Sequence, residues 1–179
     1  MCCLVAILAG VAWGIGWQSG SAASPKLAID APEEALAGEP IEIRLVIDDA
    51  NGIAAFDATI GFDTSIASLQ SFDQRANDLV DLGRDVKALG PVELPDGVAV
   101  GAYACPAESC ADLAGKSRNT AQGTGSFRLA AFTIVGWQPG PLTIDLTTAQ
   151  FTDGSGRPVE VDLSGATVTV EVMPNGEVQ

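Results

Sequence analysis

The run Ala55-Phe-Asp-Ala-Thr-Ile-Gly-Phe62 alternates strictly: Phe56, Ala58, Ile60 and Phe62 share one phase, and Ala55, Asp57, Thr59 and Gly61 share the other. Successive side chains of an extended strand point to opposite faces. The pattern therefore specifies a strand with one apolar face and one small, polar face. A helix would scatter the same four apolar residues around its axis. Such a strand lies on a core and leaves its second face open, here with a single carboxylate, Asp57. Asp63-Thr64-Ser65 reads as a turn, and Ile66 to Phe72 as the next strand.

The same period recurs along the chain. Lys26 to Asp30 is a short strand with Leu27 and Ile29 inward, followed by a turn-rich connection over Pro32 to Gly38. Glu39 to Asp48 places Ile41, Ile43, Leu45 and Ile47 on one face, with Glu42, Arg44 and Asp48 on the other. Asp49-Ala50-Asn51-Gly52 then carries the Asn-Gly pair that favours a hairpin turn. Gly97 to Ala104 is a strand, and Ser126 to Val135, apolar on both faces, reads as a central one. Leu142, Ile144 and Leu146 define another strand, Asp153-Gly-Ser-Gly156 a hairpin turn, and Ala166, Val168, Val170 and Val172 the last strand. Gln74 to Gly90 differs: Leu79, Leu82, Val86 and Leu89 are spaced as on one helical face. It reads as a short helix or lid, or as a loop pinned by its leucines. Many short strands punctuated by Gly, Pro, Asn and Asp predict an all-β sandwich of jelly-roll topology with about nine strands. The expected domain spans 26–173, with a polar tail over 174–179.

Charge and composition exclude several functions. Nine basic residues against 23 acidic give a formal net charge of −14. A chain so acidic cannot bind nucleic acid by neutralising phosphates. It has no histidine, which removes Ser-His-Asp and Cys-His catalysis and the His-containing zinc and haem sites. The carboxylate pairs Glu33-Glu34 and Asp48-Asp49 are adjacent, and neighbours on an extended chain point apart, so they cannot flank one bond. No enzymatic activity is expected.

Met1 to Pro25 carries no charged side chain. Leu4 to Trp17 is its apolar centre, and Ser21-x-Ala23 fits the small-x-small pattern of a signal peptidase site, so residues 1–23 read as a signal peptide cleaved after Ala23. The alternative is a retained N-terminal membrane anchor. Either way the expected location is outside the cell or on its surface, with the membrane touched only through an uncleaved leader. Cys105 and Cys110 lie five positions apart, and in an exported chain such a pair forms a small loop disulfide.

Several motifs, in order, resemble the cohesin domain. Gly52-Ile-Ala-Ala-Phe-Asp57 followed by Gly61-Phe-Asp63 is similar to the cohesin strand that begins Gly-Ile and ends in Tyr-Asp-Pro. Ser126 to Val135 resembles the strand read as Leu-Ala-x-Ile-x-Phe. Pro139 to Ile144, Ala149 to Gly154 and Gly165 to Val170 are similar to the three segments that close the domain. The resemblance covers Leu27 to Val172. It implies a nine-stranded jelly roll that performs no chemistry and binds dockerins, calcium-loaded helical modules carried by polysaccharide-degrading enzymes. It places Asp57 where the family has its dockerin-contacting Asp, with Ala55, Thr59 and Gly61 on the same face. Ala55 stands where well-studied members have Asn, Thr64 replaces the turn Pro, and Ile66-Ala67 replaces Val-Leu.

Two other readings bear on the site. Direct polysaccharide binding would need exposed aromatics to stack on sugar rings, and Trp137 and Tyr103 are the candidates. No cofactor or metal site is expected, apart from a structural calcium held by some of Asp48, Asp49, Asp153 and Asp162, which fall at or near turns.

Overall fold

The structure, a computed structural model, describes residues 24–73, 78, 84–106 and 123–176. Among these residues there are ten strands and no α-helix: β1 (Lys26–Asp30), β2 (Glu34–Leu36), β3 (Pro40–Phe62), β4 (Ala67–Asp73), β5 (Arg84–Leu94), β6 (Gly97–Pro106), β7 (Gly123–Gly136), β8 (Gly140–Asp153), β9 (Asp162–Gly165) and β10 (Thr167–Met173).

β3 organises the molecule. At 23 residues it is several times the usual strand of about 5–6, because it belongs to both layers. Its first half pairs with β1, Ile47 opposite Leu27, and with β7, Ile43 opposite Phe132. Its second half pairs with β6 and β8, so that Asp57 lies between Gly101 and Gln150. One layer thus runs β9-β1-β3-β7-β4 and the other β5-β6-β3-β8-β10-β2. The inward phases of both layers meet in one core that includes Leu27, Ile43, Ile47, Ile60, Phe132, Ile144 and Val170. Phe56, Ala58, Ile60 and Phe62 are all buried, as their alternation predicts. The all-β sandwich expected from the pattern is therefore the observed architecture.

Three local readings are corrected. Asn51-Gly52 does not reverse the chain. Asp49 and Gly52 take positive φ, 52° and 81°, and the ladder with β7 slips between Ile47 and Ala50 and again between Asn51 and Ile53. These bulges turn the strand out of one layer and into the other, as strands do at sandwich corners. Ile53 is the pivot, facing Gly123 of β7 and Asp153 of β8.

The helix read from Leu79, Leu82, Val86 and Leu89 is also not formed where it can be checked: residues 84–94 are strand β5. Residues 79–83 lie outside the described residues. Gly90 has φ of 93° and precedes Pro91, a pair that no helix interior tolerates. Third, the connection over 32–38 contains β2, which pairs in parallel with the end of β10.

The turns are held by side chains that cap backbone amides. Asp63 accepts from the Ser65 amide at 2.8 Å and the Ser65 hydroxyl at 2.6 Å. Asp153 accepts from the amides of Ser155 and Arg157 and from the Arg157 guanidinium at 2.8 Å. The Phe62 amide donates to the Asp96 carbonyl and the Thr64 hydroxyl to the Pro95 carbonyl, which ties the β3–β4 turn to the β5–β6 turn.

Candidate protein-docking face

The outer face of β5-β6-β3-β8 is a trough. Its floor is β6 and β3, where the outward phase holds only small residues over most of its length. On β6 these are Gly97, Ala99 and Gly101, and on β3 they are Ala55, Asp57, Thr59 and Gly61. The glycines of β6 lie close against the neighbouring backbone. A Cβ on Gly101 would stand 2.8 Å from the Phe56 carbonyl oxygen, and one on Gly97 would meet the Ile60 carbonyl.

The walls differ in chemistry. On the edge strand β5, Leu89 lies opposite Gly101 and Val92 opposite Ala99. Both side chains project into solvent, 51% and 56% exposed. On β8, Thr152, Gln150 and Thr148 stand opposite Ala55, Asp57 and Thr59. β5 and β8 are three strand spacings apart, about 14 Å. An α-helix with its side chains is about 10–12 Å across, so the trough is wide enough for one helix lying along the strands. Tyr103, opposite Ala55 and Lys87, stands at one end.

The four residues singled out from the sequence lie together on β3, along the length of the trough floor. Asp57 is exposed, and its side chain makes no hydrogen bond or ion pair among the described residues. Its carboxylate keeps its full capacity to accept. The opposite layer is different: there Arg44 binds Glu42 at 2.8 Å and approaches Asp30 at 3.7 Å, so its central charges neutralise one another.

Other expected site residues are not brought together. Tyr103 aligns with Thr152 through Ala55, whereas Trp137 precedes Gly140 at the far end of β8. Thr152 and Gly140 are about 40 Å apart at the rise of an extended strand, so the two aromatics form no row. Trp137 is 45% exposed, with its amide bonded to the Ile66 carbonyl. Asp48 and Asp162 flank Lys26 on adjacent strands, and Asp49 is at the β3 corner. Asp153 is engaged by its own turn. No three acidic or cysteine residues among the described residues converge on a common point that could hold a metal ion. Cys105 is the penultimate residue of β6, opposite Asp85, while Cys110 and the leader 1–23 lie outside the described residues. Among the described residues no helix is long and apolar enough to cross a membrane.

The walls were missed from sequence. Leu89 reads there as part of a helical stripe, and β8 appears too short to reach Gln150. The floor of β6 was legible in part, because Val98, Val100 and Ala102 alternate with Gly97, Ala99 and Gly101.

No protein-family model and no curated protein matches the sequence. Solved structures do match the fold. The cohesin module from a family 33 glycoside hydrolase of Clostridium perfringens superposes with a TM-score of 0.63 at 16% identity, over 85% of this chain and 98% of the other. The fold is that of a cohesin. A cohesin from Acetivibrio cellulolyticus, solved in complex with a dockerin, matches with a TM-score of 0.62 at 14% identity, over 83% and 99% of the two chains. A non-cellulosomal cohesin from the archaeon Archaeoglobus fulgidus gives 0.59 at 14%, over 84% and 92%. Against that fold, the ten strands compare with the nine that the resemblance implied.

Proposed function

We propose that this cohesin-fold chain is a non-catalytic module that docks a dockerin-type, calcium-loaded helical protein in the trough of β5-β6-β3-β8. The observation that carries the reading is Asp57, unpaired on a floor of small residues one helix wide. Its carboxylate would accept hydrogen bonds from serine or threonine hydroxyls of the partner's helix. Solved cohesins of the same fold carry dockerins, which supports that class of partner. In this reading the chain works outside the cell, secreted or held at the surface through Met1 to Pro25, and brings polysaccharide-degrading or surface proteins together. Its acidity supports that setting by keeping it soluble.

The test is calorimetric titration of the full chain with a panel of calcium-loaded dockerins, repeated with Asp57→Ala. A hydrogen bond to a charged acceptor contributes about 1.5–3 kcal/mol. The replacement is expected to weaken binding by about 10- to 150-fold, with an unchanged unfolding midpoint. Absence of binding across the panel, or equal affinity for the variant, would count against the reading.

A further inference from the structure

Two acceptors converge on one point at the end of the trough away from Tyr103. The register sets Asp145 opposite Gly61, and β8 carries one extra residue, Thr147, between the partners of Ile60 and Thr59. Measured from where a Gly61 side chain would begin, Asp145 Oδ1 is 2.7 Å away and Thr147 Oγ1 is 2.9 Å away. The missing side chain at Gly61 is what lets both lie over the sheet. The Asp145 side chain makes no hydrogen bond or ion pair among the described residues. A carboxylate and a hydroxyl facing one notch, with no cation paired to them among the described residues, form a receptor for a positive group.

The occupant can be narrowed further. A second copy of this chain would bring the same carboxylates against the trough, and the chain carries 23 acidic residues against 9 basic. Like charges in contact disfavour that pairing and favour a cationic partner. From Asp57 to Gly61 is about 14 Å along β3, or between two and three turns of a helix laid on it. A helix reaching both ends also passes Leu89 and Val92 on the opposite wall.

We propose that the Gly61 notch receives a lysine or arginine from the partner's docking helix, which makes Asp145 a residue that selects partners by charge. The proposal rests on the docking reading above and adds to it a charge requirement.

The experiment uses two kinds of probe. One is the tightest dockerin of the panel. The other is a synthetic amphipathic helix with a leucine stripe flanked by lysines, together with its glutamate-flanked twin. Each is titrated into the full chain and into Asp145→Asn, Gly61→Ala and Glu39→Gln. Glu39→Gln makes the same charge change as Asp145→Asn at an exposed turn away from the trough. The lysine helix is expected to bind and the glutamate helix not to. Asp145→Asn should weaken the lysine helix at least fivefold and flatten its salt dependence. Gly61→Ala should act in the same direction by displacing the carboxylate, and Glu39→Gln should change affinity less than twofold. Equal losses for Asp145→Asn and Glu39→Gln would overturn the proposal, because overall charge alone would then be read. So would failure of the lysine helix to bind. A dockerin that binds Asp145→Asn as tightly as the parent sinks this proposal and leaves the docking reading standing. Asp145-dependent capture of the lysine helix with no dockerin bound does the reverse.

Discussion

Gly61 and Gly97 face each other across the β3–β6 ladder, yet a methyl group would meet different things at the two. At Gly61 it meets the ends of two side chains, Asp145 and Thr147, which can swing away. At Gly97 it meets the Ile60 carbonyl and, at 2.9 Å, the Gly61 Cα, which belong to a paired backbone and cannot move alone. Gly61→Ala should therefore leave stability within about 1 kcal/mol of the parent, since alanine also restricts the unfolded chain. Gly97→Ala should lose about 1–3 kcal/mol, as forced overpacking does. Urea unfolding followed by tryptophan fluorescence measures both. Equal losses would mean that the trough floor is not pressed against β3 as described.

The corner of β3 is the corresponding feature at the level of the element. One strand can serve two layers only if its backbone bends without ending, and Asp49 and Gly52 supply that bend with positive φ. An L-residue in that region costs roughly 1–2 kcal/mol. Gly52→Ala should thus destabilise by about that amount, whereas Asp49→Gly should be neutral or slightly stabilising. Chemical denaturation should show a loss for Gly52→Ala and none for Asp49→Gly; equal losses in the two variants would mean the corner is not built this way. The same corner shows what the sequence could and could not reveal. Side-chain alternation located both halves of β3 and their buried faces, because burial imposes period two directly. Asn-Gly signals only that the chain can adopt left-handed dihedrals. Whether it reverses or bends depends on β7 and β8, whose residues lie far along the chain. Leu89 failed for a related reason. Its spacing from Val86 suits a helix, but it lies on the edge strand β5 with its side chain in solvent, and an exposed leucine leaves no periodic mark of burial. Asp57 was legible because it interrupts an otherwise small and neutral phase. Asp145 was not, because its importance comes from the absent side chain at Gly61 on another strand.

Across the whole molecule, charge sets how stability depends on pH. Among the described residues, four carboxyls are held below their ordinary range. Asp63 is lowered by the Ser65 hydroxyl and amide, and Asp153 first by the Arg157 amide. Asp162 is lowered by the Ser164 amide, and Glu42 by its hydrogen bond to Arg44. Two of these, Asp63 and Asp153, cap turns, so their protonation loosens the connections between strands. In each case the folded state binds the proton less readily than the unfolded chain does. Stability from these groups is then complete above the ordinary values of 3.8 for Asp and 4.5 for Glu, and is lost as pH falls below them. A second effect opposes this at higher pH. With a formal charge of −14 at pH 7, the folded chain repels itself, and mild acidification relieves that repulsion. The urea midpoint should therefore rise or hold steady from pH 7 to about 5 and fall between about 4 and 2. Added salt should raise it at pH 7, where it screens the self-repulsion. Asp153→Asn separates the two effects. It gives up the charge-assisted hydrogen bonds of its turn, so it should be less stable than the parent at pH 7 and lose less on acidification, bringing the two curves together near pH 2. A midpoint that stays level from pH 5 to pH 2, or a variant that runs parallel to the parent throughout, would show that the turn carboxylates do not hold the sandwich's connections in place.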